Sequence, residues 1–164
     1  MKHAFLIVLL ALSAVAQSTP APPAGTKPGK IFDELADAAL MAMTKRAEEL
    51  KIHGAALVAY IEGDTTKSWS SKMVVVGSMK DAPTEKSRGV NLLAIAYSKA
   101  AEMAETLRDS GNAGRPPMTG ETGWQGGLIK KGRTGYLIAA FSGGPSESDV
   151  KVSQSGLAVL AEKL

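Results

Sequence analysis

Gly126-Gly-Leu-Ile-Lys-Lys-Gly-Arg-Thr-Gly135-Tyr-Leu-Ile-Ala-Ala-Phe-Ser142-Gly-Gly-Pro-Ser-Glu-Ser-Asp149 is the stretch that decides the fold. Leu128 and Ile129 open a strand, and Lys130-Lys131-Gly132-Arg133 makes a tight basic turn. Residues 136–141 are an unbroken apolar run of strand length, the mark of a buried strand. Ser142-Gly143-Gly144-Pro145 then interrupts the pattern and reads as a loop. A helix begins at Ser146 or Ser148. Ser146 and Asp149 have the spacing of a capping box, with Asp where Glu or Gln is usual. Val150, Ser153, Leu157, Leu160 and Leu164 recur at helical spacing and form its buried stripe.

Helix and strand signals continue upstream, with no internal repeat strong enough to use. From residue 31, Leu35, Ala39, Met43, Ala47 and Leu50 mark one face of a helix that Asp33 can cap. His53-Gly54 should end it, since glycine accepts the left-handed geometry of a C-terminal cap. Residues 55–61 form an apolar strand, and Glu62-Gly63-Asp64 is turn chemistry. Trp69, Ser71, Met73 and Val75 alternate with more polar neighbours, so a half-buried strand returns as a hairpin. After a polar loop, residues 89–109 carry a helical stripe of Val90, Leu93, Ala94, Tyr97, Ala101, Ala104 and Leu107, closed by Gly111. A long Gly/Pro-rich loop, stiffest at Arg115-Pro116-Pro117, leads back to Gly126. The fold class is α/β in the α+β sense: a central antiparallel sheet with packed helices. Its order is helix-strand-strand-helix-strand-strand-helix.

The 164 residues divide into three parts. Residues 1–16 have a basic start, a short apolar run and Ala14-Val15-Ala16, the pattern of a cleavable secretory signal. The run is shorter than the roughly 20 residues of a permanent span, so no stable membrane span is expected. Residues 17–30 hold Pro20, Pro22, Pro23 and Pro28 among small residues and read as a flexible segment. Residues 31–164 are one domain of ordinary size. The address is therefore exported, periplasmic or extracellular. The net charge of +3 includes Lys2 of the signal, and so modest a charge argues against nucleic acid as a partner. Without a cysteine there is no disulfide, thiolate nucleophile, iron–sulfur cluster or covalent haem attachment.

Several joints of this pattern resemble the GlcG/HbpS-like family of small α/β proteins. They are residues 54–61, Ser98-Lys99-Ala100, Gly126-Gly127, Ser142-Gly143-Gly144, Asp149 and Gly156-Leu157-Ala158, in that order. The resemblance covers nearly everything from about Asp33. It implies a central antiparallel sheet, assembly into a homo-oligomer and, in some branches, binding of haem or a related tetrapyrrole. It also implies an envelope sensor protein as a partner for exported members. The chain departs from the family at Ile61-Glu62-Gly63-Asp64 and at Gly77-Ser78-Met79-Lys80-Asp81.

The candidate chemistry points to ligand binding rather than catalysis. His53 is the one histidine outside the signal, so a histidine-ligated haem would use it as the axial ligand. The alternative is a solvated histidine whose charge suits a helix C-terminus. Ser142, Gly143 and Gly144 make the best binding loop, because glycine amides and a helix start attract anions. Glu147 and Asp149 already supply negative charge there, and a plain sheet-to-helix turn is the competing reading. Lys99 breaks a small-residue segment and could hold an acidic partner or a propionate, or simply extend to solvent. The basic tip suits an acidic partner of a ligand-free interaction module. No Gly-x-Ser-x-Gly elbow, zinc ligand set or nucleotide fingerprint is present.

Overall fold

A computed structural model describes residues 28–164; the expected signal at 1–16 and most of the 17–30 segment lie outside the described residues. In chain order the elements are α1 (Pro28–Glu49), β1 (Gly54–Glu62), β2 (Ser70–Val76), β3 (Lys80–Asp81), β4 (Val90–Asn91), α2 (Leu92–Thr106), β5 (Gly127–Lys131), β6 (Gly135–Ser142) and α3 (Ser146–Ala161). The α+β class stands, with one addition: β3 and β4 pair as a small separate ribbon within the polar loop. The main sheet is antiparallel throughout, in the order β2-β1-β6-β5. The two expected hairpins thus lie side by side, joined through β1 and β6.

Both faces of the sheet are covered. Ala56, Val58, Tyr60, Leu137, Ala139 and Phe141 face α1 and α3. Ala55, Leu57, Ala59, Ile61, Ile138 and Ala140 face α2. This is why β1 and β6 read as continuous apolar runs, as central strands with helices on both sides must. Burying one large aliphatic side chain stabilises by about 1.5–3 kcal/mol, so the two clusters dominate the fold. Phe32 of α1 stacks on Tyr60 with ring centroids 6.1 Å apart. Gly156 lets α3 approach α1 closely: an added Cβ would lie 2.6 Å from Met43 Cγ.

All three helices differ in detail from the sequence expectation, the first two at both ends and the third in its cap. The first helix begins at Pro28, where proline suits an N-terminal turn. It ends not at Gly54 but in a left-handed Lys51, with the Ile52 amide donating to Ala47 O and the Lys51 amide to Glu48 O. That is the Schellman arrangement. The second helix is shorter than the apolar stripe suggested, with Asn91 as its N-cap and a left-handed Leu107 as its C-cap. The third has no side-chain cap at its start, so the Ser146–Asp149 capping box does not form. Asp149 turns its carboxylate elsewhere, and that choice shapes the site.

Candidate functional site

Lys99, Ser142, Gly143 and Gly144, singled out separately in the sequence, line one cleft of about 170 Å³. The ends of β1 and β6 set its position. Gly54 and Gly143 cross so closely that a Cβ on Gly54 would strike Ser142 O, and one on Gly143 would strike His53 O. The 142–145 loop is thereby pinned over α2.

Lys99 does not reach solvent; it is 1% exposed. Its Nζ donates to Phe141 O at 2.7 Å and to Asp149 Oδ2 at 2.8 Å. Asp149 Oδ1 accepts the Gly144 amide at 2.9 Å. One amide of the expected anion loop is thus occupied by the chain's own carboxylate. Burial pushes the Lys99 ammonium below its usual range, against the pull of Asp149. Burial likewise raises the Asp149 carboxyl, against Lys99 and the loop amides. Each ion depends on the other to remain charged.

Gly126 completes this arrangement. Its carbonyl accepts Ser153 Oγ at 2.6 Å and the Phe141 amide at 3.3 Å. A Cβ there would lie 2.7 Å from Asp149 Cβ and against Lys99 Nζ, so only glycine lets the backbone pass over the ion pair. Gly127 is held beside it, its amide donating to Ser110 Oγ at 2.8 Å. The Gly-Gly approach is therefore a lid over the Lys99–Asp149 pair.

The outer walls of the cleft were not legible in the sequence. Trp124, 54% exposed, and Gln125 come from the end of the long loop. Asp81 comes from the β3–β4 ribbon, and Val90, Leu92 and Ile95 supply apolar surface. His53 stands at the rim, half exposed, its Nε2 2.9 Å from Asp81 Oδ1. A carboxylate on one ring nitrogen is a usual partner of a ligating histidine, but here it engages Nε2. Nothing in the Gly54 region draws His53 into the cleft itself.

Haem does not fit this site within one chain. Pockets that bury drug-sized ligands hold roughly 300–1,000 Å³, and this cleft is smaller. A larger groove, about 690 Å³, runs along Trp69, Ala101, Ala104 and Glu105 and is not lined by His53, any methionine or any tyrosine. Among the described residues no cluster of three or more His, Cys, Asp or Glu could hold a metal ion.

The basic tip is largely engaged within the molecule. Lys131 pairs with Asp64 at 3.0 Å and stands 5.7 Å over the Tyr136 ring. The Arg133 amide donates to Leu164 O at 2.7 Å, and its guanidinium to Lys163 O at 2.7 Å. The Arg133 contacts tie this turn to the C-terminus.

No protein-family model matches the chain, and no curated protein matches it. No described helix is long and apolar enough to cross a membrane.

Proposed function

We propose that this is an exported, non-enzymatic binding protein that takes a small planar ligand in the cleft between α2 and the 142–145 loop. The observation that carries the reading is the pairing of an exposed indole, Trp124, with a polar floor already neutralised by the Lys99–Asp149 pair. An exposed tryptophan edging a cleft offers a stacking wall. Asp81 and Gln125 offer acceptors beside it. Because Asp149 occupies the Gly144 amide, a ligand with hydrogen-bond donors suits the cleft better than an anion. The GlcG/HbpS-like resemblance, with its tetrapyrrole and homo-oligomer, belongs to the same proposal only if the ligand spans two subunits.

The test is a titration of mature protein with benzamide, benzoate and hemin, following Trp124 fluorescence in a Trp69→Phe background and the hemin absorption band. The expected result is saturable quenching by benzamide, weaker response to benzoate, and loss of benzamide binding in Trp124→Ala, read by calorimetry because that variant has no fluorescent reporter in the cleft. A hemin band that disappears in His53→Ala, with no benzamide response, would overturn the small-ligand reading in favour of an intersubunit haem.

A further inference from the structure

We propose a second, separate site: a chamber under the 111–123 loop that binds a small organic cation through its primary ammonium group, with Glu102 as the counter-ion. The chamber has a volume of about 230 Å³ and lies between α2 and that loop. At about 30 Å³ per water this is room for roughly seven waters, or an amine of a few heavy atoms.

Glu102 lines the chamber and is 1% exposed. Its Oε1 accepts the Gly111 amide at 2.7 Å, which fixes the carboxyl group. Its Oε2 is the one buried side-chain polar atom, among the described residues, with no hydrogen-bond partner. A buried carboxylate without a cation is costly, and proteins place one only where something compensates it.

The wall itself does not compensate it. Arg115 is the one cationic residue lining the chamber, and its guanidinium is already distributed among Glu121 Oε1 at 2.9 Å, Glu121 Oε2 at 2.7 Å and Glu105 Oε2 at 2.6 Å. Arg108 comes near Gly114 but does not line the space. The remaining wall is glycine backbone, Ala113 and Pro117, which leaves a small body little polar competition. A divalent ion wants six or more oxygen donors, and one carboxylate does not supply such a cage. An ammonium asks for a single carboxylate partner, which Glu102 supplies.

The loop is built to hold this shape. Ser98 Oγ donates to Gly120 O at 2.9 Å and accepts the Thr122 amide at 3.0 Å. Together with Glu102 and Glu105, three residues of α2 tie the loop down along its length.

The experiment titrates mature protein with n-propylammonium chloride against sodium chloride of equal concentration, read by amide NMR shifts. Expected are saturable shifts at Gly111, Ala113 and Gly123, at least tenfold weaker binding in Glu102→Gln, and no comparable response to propan-1-ol. Ala113→Leu, which fills the space and leaves the carboxylate intact, should weaken binding to the same degree and decides the matter should Glu102→Gln fail to fold. Absence of saturable shifts in the wild type, Glu102→Gln binding within twofold of it, or an equal response to propanol would overturn the site. The cleft proposal is untouched by any of these results, because its readout is Trp124.

Discussion

Lys99 and Glu102 stand one turn apart on α2, carry opposite charges and are equally buried, yet their surroundings differ. Lys99 meets a carboxylate, a carbonyl and a loop shaped by three glycines, Gly126, Gly143 and Gly144. Glu102 meets one amide and then a chamber, with an oxygen left over. The first is a closed structural pair and the second is half-satisfied. Burial of a charge is therefore not by itself a sign of function; the informative quantity is what remains unpaired after the chain has supplied its partners.

The largest expected effect breaks the closed side. Lys99→Met leaves the Asp149 carboxyl buried without its partner, either uncompensated or forced to take up a proton, and should destabilise by about 3–5 kcal/mol. Adding Asp149→Leu removes the orphaned carboxyl, so the double variant should recover much of that loss. Urea unfolding of the three proteins checks this. If the single and double variants unfold at the same midpoint, the pair is not the coupled unit described. Gly126→Ala comes next, because its Cβ would meet Asp149 and Lys99 from a backbone with φ of +132°. Overpacking of this kind costs about 1–3 kcal/mol, and the same unfolding assay should place it between wild type and Lys99→Met.

Glu102→Gln sharpens the other side. It keeps an acceptor for the Gly111 amide and replaces an unpaired charge with a neutral amide. In the absence of a cation it should leave stability unchanged or raise it, because it removes a buried charge that has no partner. A loss as large as that of Lys99→Met would mean that Glu102 has a compensating partner within the fold.

The contrast also explains what the sequence could and could not disclose. Both hairpins and all three helices were legible, because β1 and β6 are continuous apolar runs and α1 keeps a clean helical stripe. The buried face of α2 was misread. Ala94 and Ala101 lie exposed, while Lys99 and Glu102 lie inward, so hydrophobic periodicity pointed to a neighbouring face. The capping box failed for a related reason: Asp149 is drawn to Lys99, fifty residues away in sequence, and to the Gly144 amide instead of forming the box with Ser146. Lys99 and the Ser142-Gly143-Gly144 loop could be named, since a lone charge among alanines and a Gly-Gly turn are visible in one dimension. Trp124, Asp81 and Glu102 could not, because only long-range packing brings them to a cleft or a chamber. His53 was visible but lies at the rim, held by Asp81.

The smallest effect concerns the strap that closes the Glu102 chamber. Arg115 holds the Glu121 carboxyl well below its ordinary 4.5, at about 2, with help from the Met118 amide. A carboxylate with a depressed folded-state pKa contributes stability that is whole above its unfolded value. That contribution diminishes as pH falls from about 4.5 and is gone below about 2. The ion pair lies near the surface, where such contacts are individually weak and screened by salt, so loosening should be local rather than global. Protection factors of the Met118, Glu121 and Thr122 amides should therefore fall through this acid window while β1 and β6 stay protected. In Arg115→Ala the low protection should already be present at neutral pH and lose its acid dependence. Equal exchange in both proteins at pH 7 would show that Ser98, not the arginine, holds the strap, and would move the boundary of the half-satisfied region onto α2 itself.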